Sequence, residues 1–157
     1  PTTQLCLRAI EDYLMPNQAV IDLGCGSGIL AIGALKAGAS FALALDTDPL
    51  AVQAAQRNAQ LNDVQANLQV AQGSLVEILA GNFALKQAPL VLANILAPVL
   101  INLFKQGLAQ LLQPGGRLVL SGILENQAYE VLIAGREAGL GLIQSYQAED
   151  WLALVMG

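Results

Sequence analysis

Histidine is absent from this chain of 157 residues, and cysteine occurs only twice, as Cys6 and Cys25. A catalytic triad that uses histidine as its base cannot be built from such a sequence. The two cysteines also lack the close pairing that is typical of zinc sites and thiol redox motifs. We therefore predict that the protein uses neither a metal ion nor a histidine-based triad.

Charged residues are scarce as well. They make up 12% of the chain, and twelve acidic against seven basic residues leave a net charge of −5. A protein that holds the nucleic-acid backbone needs a basic face. We therefore expect no direct nucleic-acid partner.

No apolar run of the sequence is typical of a membrane span. The longest stretch without charge lies between Lys86 and Lys105, and Pro89, Asn94 and Pro98 interrupt it. The first residues also lack the basic head and apolar run of a secretory signal. With 55% hydrophobic residues the chain can form one domain with a sizeable core. We expect a cytoplasmic protein without membrane contact.

The apolar residues fall into short runs separated by segments of helical period. Nearly continuous runs at residues 19–23, 41–45, 68–71, 90–94 and 117–121 are typical of parallel strands buried on both faces. Helical periods occupy residues 28–37, 49–61, 97–112 and 125–138, and QPGG at 113–116 indicates a loop. This alternation predicts an α/β fold with a Rossmann-like, doubly wound, mostly parallel sheet. The closing LGLIQSYQAEDWLALVMG adds an antiparallel hairpin at the sheet's edge, for seven strands in all.

Three glycines, Gly24, Gly26 and Gly28, follow the first predicted strand in VIDLGCGSGIL. In a doubly wound sheet this turn lies closest to the ligand, and glycine lets the backbone approach it. A dinucleotide turn, G-x-G-x-x-G, would require its third glycine where Ile29 stands. With Asp22 two residues before the first glycine, the pattern D-x-G-x-G-x-G resembles the first motif of class I S-adenosylmethionine-dependent methyltransferases.

Polar side chains at the ends of the next strands suit the same ligand. Asp22 is placed to order the loop and the amino group of an amino-acid moiety. Asp46 ends the second strand, where a carboxylate can accept both ribose hydroxyls of either NAD or S-adenosylmethionine. Asp48 is interpreted as a helix cap before Pro49. Ser74 follows the third strand, where the adenine would lie.

Asn94 ends the fourth strand in PLVLANILAP, after five apolar residues. A buried amide in this place needs hydrogen-bond partners, since leaving it unpaired costs about 1–3 kcal/mol. Two interpretations are open: a cap for the following helix, or an acceptor that holds a nucleophilic nitrogen. On the second interpretation Asn94 is the candidate catalytic residue.

Several stretches together narrow the assignment. Six stretches of the sequence resemble, in chain order, the catalytic domain of the ribosomal protein L11 methyltransferase family. They are PTTQLCL, VIDLGCGSGILAIGALKAGA, LDTDPLAVQAAQRNAQLN, ANILAPVL, LQPGGRLVLSGILENQ and WLALV. The resemblance runs over nearly the whole chain. It implies S-adenosylmethionine as cofactor, bound by Thr2, Thr3, the glycine loop, Asp46 and Asn94.

The same resemblance implies that the substrate is a large-subunit ribosomal protein, methylated on lysine side chains and on its N-terminal amine. Members of the family carry an N-terminal substrate-recognition domain, which these residues do not match. We therefore expect residues 1–157 to be a single catalytic domain from a longer protein. The alternatives are a class I methyltransferase for a small molecule or RNA base, an NAD-dependent oxidoreductase, and an inactive cofactor-binding scaffold.

Overall fold

The computed structural model describes all residues from 1 to 157. Six helices alternate with seven strands, and three short 3-10 turns complete the secondary structure. The helices are α1 Thr2–Tyr13, α2 Ile29–Lys36, α3 Pro49–Leu61, α4 Leu75–Leu79, α5 Ala97–Gln106 and α6 Ala128–Glu137. The strands are β1 Ala19–Leu23, β2 Phe41–Asp46, β3 Leu68–Gln72, β4 Ala88–Asn94, β5 Leu112–Leu124, β6 Leu142–Ala148 and β7 Trp151–Met156.

The strands form one sheet in the order β3-β2-β1-β4-β5-β7-β6. The first five are parallel, and β7 pairs antiparallel with both β5 and β6. The predicted doubly wound sheet and its antiparallel hairpin are therefore confirmed. Strand order reverses between β1 and β4, and ligands of such sheets bind beyond the carboxyl ends of the strands at this reversal.

Alternate residues of the central strands supply two separate cores because side chains along a strand point to opposite faces. Ile21 and Leu43 belong to the core shared with α4, α5 and α6. Val20, Ala42 and Leu90 belong to the core shared with α1, α2 and α3. Burial on both faces explains why these strands appear in the sequence as continuous apolar runs.

The observed elements depart from the predicted ones around residues 107–116. The helix predicted for 97–112 ends at Gln106, because Gly107 adopts a left-handed φ of 106°, and a 3-10 turn, Leu108–Leu111, follows. The QPGG stretch belongs to β5, where a register shift opposite Ala88 and Leu90 accommodates it. The prediction of a loop there was wrong, because an irregular strand can absorb extra residues as a bulge.

Two further departures concern helices. The short α4 was not predicted, and the helix predicted for 125–138 begins as a 3-10 turn, Glu125–Gln127, before α6. None of the helices is long and apolar enough to cross a membrane.

Candidate functional site

A cavity of about 800 Å³ opens at the carboxyl edge of the sheet, where the strand order reverses between β1 and β4. Its wall combines the ends of several strands with the starts of α1 and α5. The residues lining it are Pro1, Thr2, Leu23, Gly24, Asp46, Thr47, Gly73, Ser74, Leu75, Asn94, Ile95, Leu96, Val99, Leu103, Gln106, Gly122 and Trp151. Most of the polar side chains predicted from the sequence to bind the ligand therefore line this one cavity.

The glycine loop places one of its three glycines on this wall. Gly24 lines the cavity, and a Cβ there would come within 2.9 Å of the Ile95 side chain. Gly28 is the N-cap of α2, with a φ of 82°, and a Cβ would come 3.1 Å from the Cβ of Ala55. Gly26 and Gly28 lie outside the lining of this cavity.

Asp46 connects the end of β2 to the glycine loop. Its Oδ2 accepts a hydrogen bond from the Gly26 N–H at 2.9 Å, and its Oδ1 accepts one from the Asp48 N–H, also at 2.9 Å. Each carboxylate oxygen can accept a second hydrogen bond. Asp46 is half-buried on the cavity wall, and its carboxylate is thus fixed in orientation before any ligand arrives.

Asp48 is the predicted helix cap rather than part of the cavity. Its Oδ1 accepts from the Leu50 N–H at 2.9 Å, and Pro49 occupies the first helical position. This satisfies one of the amide groups that a helix start leaves unpaired. The capping interpretation of Asp48 is confirmed.

Ser74 lines the cavity at the start of α4. Its backbone N–H donates to the Glu77 carboxylate at 2.8 Å, and this hydrogen bond is the main cause that lowers the pKa of Glu77. The neighbouring Gly73 N–H donates to the backbone carbonyl of Asp46 at 3.0 Å. These bonds hold the end of β3 beside that of β2.

Asp22 lies behind the cavity wall rather than on it. The residue is 1% exposed, its Oδ2 has no hydrogen-bond partner, and burial raises its pKa to about 7. Cys6 and Cys25 belong to the same buried region, and burial raises the pKa of each thiol to about 12. Both thiols are therefore protonated and weakly nucleophilic at neutral pH. The direct contact expected between Asp22 and a ligand does not follow from this placement.

Asn94, the candidate catalytic residue, ends β4 half-buried on the cavity wall. Thr2, at the first turn of α1, shares this wall, whereas Thr3 does not. Of the two threonines, the structure brings only Thr2 to the cavity.

Gly122 and Ile95 also line this cavity, although no role could be predicted for either from the sequence. The Ile95 N–H donates to the Ser121 carbonyl at 3.0 Å, which brings ANIL against LSGIL. At Gly122, with a φ of 81°, a Cβ would stand 2.6 Å from the Ile95 carbonyl oxygen. A glycine inside an apolar strand is the signal that indicates such a close backbone approach.

The comparisons with known proteins agree with this geometry. The family model of ribosomal protein L11 methyltransferase (PrmA) matches residues 1–157, the full chain. The chain belongs to the ribosomal protein L11 methyltransferase family. A family member from Listeria welshimeri is 41% identical over 155 residues, covering 99% of this chain and 48% of its own length. One from Chloroflexus aurantiacus is 42% identical over 175 residues, with 99% and 53% covered.

Solved structures show the same fold. The ribosomal protein L11 methylase of Lactobacillus delbrueckii subsp. bulgaricus superposes with a TM-score of 0.86 at 32% identity, over 99% of this chain and 78% of that one. An RNA methyltransferase from Salinibacter ruber, in complex with S-adenosyl-L-homocysteine, gives 0.74 at 22% identity, over 97% and 88%. The latter likeness concerns the fold alone. The chain spans about half the length of the curated L11 methyltransferases it matches.

Proposed function

We propose that this chain is the catalytic domain of an S-adenosylmethionine-dependent protein N-methyltransferase. Its substrate would be a ribosomal protein of the large subunit, methylated on lysine side chains and the N-terminal amine. The observation that carries the proposal is the sharing of one cavity by Gly24, Asp46 and Asn94 in a chain of this family. We place the activity in the cytoplasm.

The polar groups on the cavity wall suit S-adenosylmethionine. Asp46 presents a carboxylate with acceptor capacity left for ribose hydroxyls, and Gly24 brings backbone close to the space. Gly73 and Ser74 would border the adenine, and Thr2 would contact the amino-acid end. When bound, the cofactor would supply a methyl group on a positively charged sulfur, already activated for displacement by nitrogen.

Asn94 would orient the incoming amine. Its side-chain oxygen can accept an N–H hydrogen bond, which would direct the nitrogen lone pair into the cavity. A lysine amine with a pKa of about 10.4 costs about 4–5 kcal/mol to deprotonate at pH 7, and an α-amine near 8 about 1 kcal/mol. The apolar wall formed by Ile95, Leu96 and Val99 would lower that cost, because desolvation disfavours the charged amine.

The alternatives have less support. Ile29 stands where the dinucleotide pattern requires glycine, which speaks against NAD. The acidic composition speaks against an RNA substrate. An inactive cofactor-binding scaffold would need Asp46 to accept the ribose hydroxyls but would not need a polar amide on the same wall. Asn94 supplies such an amide.

Calorimetric titration with S-adenosylhomocysteine and with NADH tests the cofactor. We expect S-adenosylhomocysteine alone to bind, and Asp46→Ala to weaken its affinity at least tenfold, because the ribose acceptor is lost. Asp48→Ala is the matched control, since it removes a carboxylate two residues away that only caps α3. Binding of NADH, or equal losses in the two variants, would contradict the assignment.

A further inference from the structure

We propose that the mouth of the cavity is a docking surface for a flexible, lysine-rich segment of the protein substrate. Two surfaces would hold this segment. The apolar side is formed by Leu96 and Val99, and the acidic corner by Glu125, Glu149 and Asp150. The proposal rests on the proposed function, because the docked lysine would be the methyl acceptor.

Basic side chains are segregated away from the mouth. None of the seven lies on the cavity wall. Lys36, Lys105 and Arg136 lie in the last turns of α2, α5 and α6. Lys105 itself is not part of the cavity wall, although its neighbour Gln106 is. Arg117 pairs with Leu90 in the first half of β4, and Lys86 precedes that strand. No basic side chain therefore faces the acids of the mouth from the cavity wall.

The acidic corner lies next to the cavity. The Glu125 N–H donates to the Asp150 carbonyl at 2.9 Å, which ties the end of β5 to the β6–β7 turn. The adjoining pair, Leu124 and Trp151, joins β5 to β7, and Trp151 lines the main cavity. A second hollow of about 400 Å³ is lined by Leu124, Glu125, Asn126 and Asp150. The acidic corner thus continues the surface of the mouth.

Helix capping does not account for Glu149 and Asp150 of this corner, whereas Glu125 begins the 3-10 turn that leads into α6. Asp48 and Glu77 also lie near the carboxyl edge, but both accept backbone hydrogen bonds at helix starts, where a carboxylate stabilises the helix. Glu149 and Asp150 instead occupy a hairpin turn with exposed side chains, and Glu149 adopts a left-handed φ of 54°. Their negative charge stabilises no helix and is available to a partner.

The apolar side of the mouth is also unpartnered. Leu96 is 63% exposed and Val99 is 44% exposed, although both line the cavity at the start of α5. A lysine side chain combines an apolar stem with a charged head, and such side chains lay the stem on apolar surface while the head stays with polar groups. Apolar and acidic surfaces around one opening fit this chemistry. A nucleic acid or a second copy of this edge would be repelled by the acids.

The test measures binding of fluorescently labelled ribosomal protein L11 to this chain saturated with S-adenosylhomocysteine, by anisotropy. The corner variant carries Glu125→Gln, Glu149→Gln and Asp150→Asn. Its matched control, Glu11→Gln with Asp63→Asn and Glu137→Gln, removes the same charge from exposed positions towards the opposite ends of α1, α3 and α6. Leu96→Ser is paired with Leu61→Ser, which changes an 80% exposed leucine away from the cavity.

We expect the corner variant to raise the Kd about tenfold at about 50 mM salt and by less than about threefold at about 300 mM, because salt screens exposed charges. Leu96→Ser should raise it about fivefold at both concentrations, and the controls by less than twofold. Equal losses in the corner variant and its control would overturn the proposal, as would the absence of L11 binding. So would a self-association that Leu96→Ser abolishes, since the occupant would then be a second copy. Failure to bind S-adenosylhomocysteine would instead refute the proposed function.

Discussion

Replacing Gly122 by alanine tests the contact that joins β5 to the end of β4. The residue adopts a φ of 81°, and a Cβ would meet the Ile95 carbonyl oxygen at 2.6 Å and carbonyl carbon at 2.8 Å. These atoms belong to the backbone, so no side-chain rotation relieves the overlap. Gly81 is the matched control, because its φ is 82° and a Cβ there would meet nothing within 4 Å.

The two substitutions separate backbone strain from steric overlap. A left-handed alanine costs about 1–2 kcal/mol, of which about 0.4–1 kcal/mol is offset by the lower entropy of the unfolded chain. Gly81→Ala should therefore lower the free energy of unfolding by about 1 kcal/mol or less. Gly122→Ala adds the overlap with Ile95, about 1–3 kcal/mol, for a total near 3 kcal/mol. In a domain of this size that corresponds to a fall in Tm of roughly 6–12 °C.

Urea unfolding of both variants gives the free energies, and titration with S-adenosylhomocysteine gives the effect on the cavity. We expect Gly122→Ala to weaken binding severalfold, because a displaced Ile95 moves the adjoining Asn94, and Gly81→Ala to leave it unchanged. Stabilities within about 0.5 kcal/mol of each other would refute the steric reasoning.

Three other substitutions test separate parts of the site. Asp22→Asn should flatten the pH dependence of stability. Because burial raises the pKa of Asp22 to about 7, its contribution to the free energy of unfolding falls as pH rises from about 4 to 7. Urea unfolding should therefore show a larger gain in stability for the variant at pH 8 than at pH 5, and the same gain at both pH values would contradict this. Asp48→Ala should lower the free energy of unfolding by about 0.5–2 kcal/mol, because the Leu50 N–H at the start of α3 loses its acceptor. Thermal denaturation measures this loss, and an unchanged Tm would contradict a stabilising role of Asp48 as helix cap. Asn94→Ala should reduce turnover at saturating amine and cofactor roughly tenfold, the worth of one hydrogen bond, and normal turnover would exclude Asn94 from the mechanism.

The sheet could be predicted from the sequence because burial on both faces leaves a continuous apolar signal. Val20 and Ile21 belong to different cores, so both faces of β1 are buried. Asp22 is the one polar residue of this strand. The hairpin was also predictable, since no helical period separates its two apolar runs. Gly107 was not, because a left-handed residue can end a helix without any change in the apolar pattern around it.

The candidate site could be predicted in residue type more than in placement. Strand ends are visible in a sequence, so Asp46 and Asn94 can be located at the carboxyl edge of the sheet, and both line the cavity. Which side of the wall a residue occupies depends on packing between distant segments. Asp22 and Thr3 therefore lie outside the lining although their neighbours Leu23 and Thr2 lie within it. A glycine inside an apolar strand indicates a close backbone approach, but only the structure identifies Ile95 as the partner of Gly122.

The hydrogen bond between the Tyr146 hydroxyl and the Asp12 carboxylate joins residues 134 positions apart, and it has a consequence for how the protein is made. Besides this bond, α1 packs against β5, β6 and β7, and Thr2 and Trp151 share the cavity wall. Contacts so distant in sequence form late, because the intervening chain must first be closed into a loop. During synthesis the glycine loop is present early, but the cavity is completed only after the last strand has been made. A folding intermediate in which β7 has not yet joined the sheet would thus contain the glycine loop but lack Trp151 on the cavity wall, so we expect ligand affinity to rise when β7 pairs with β5.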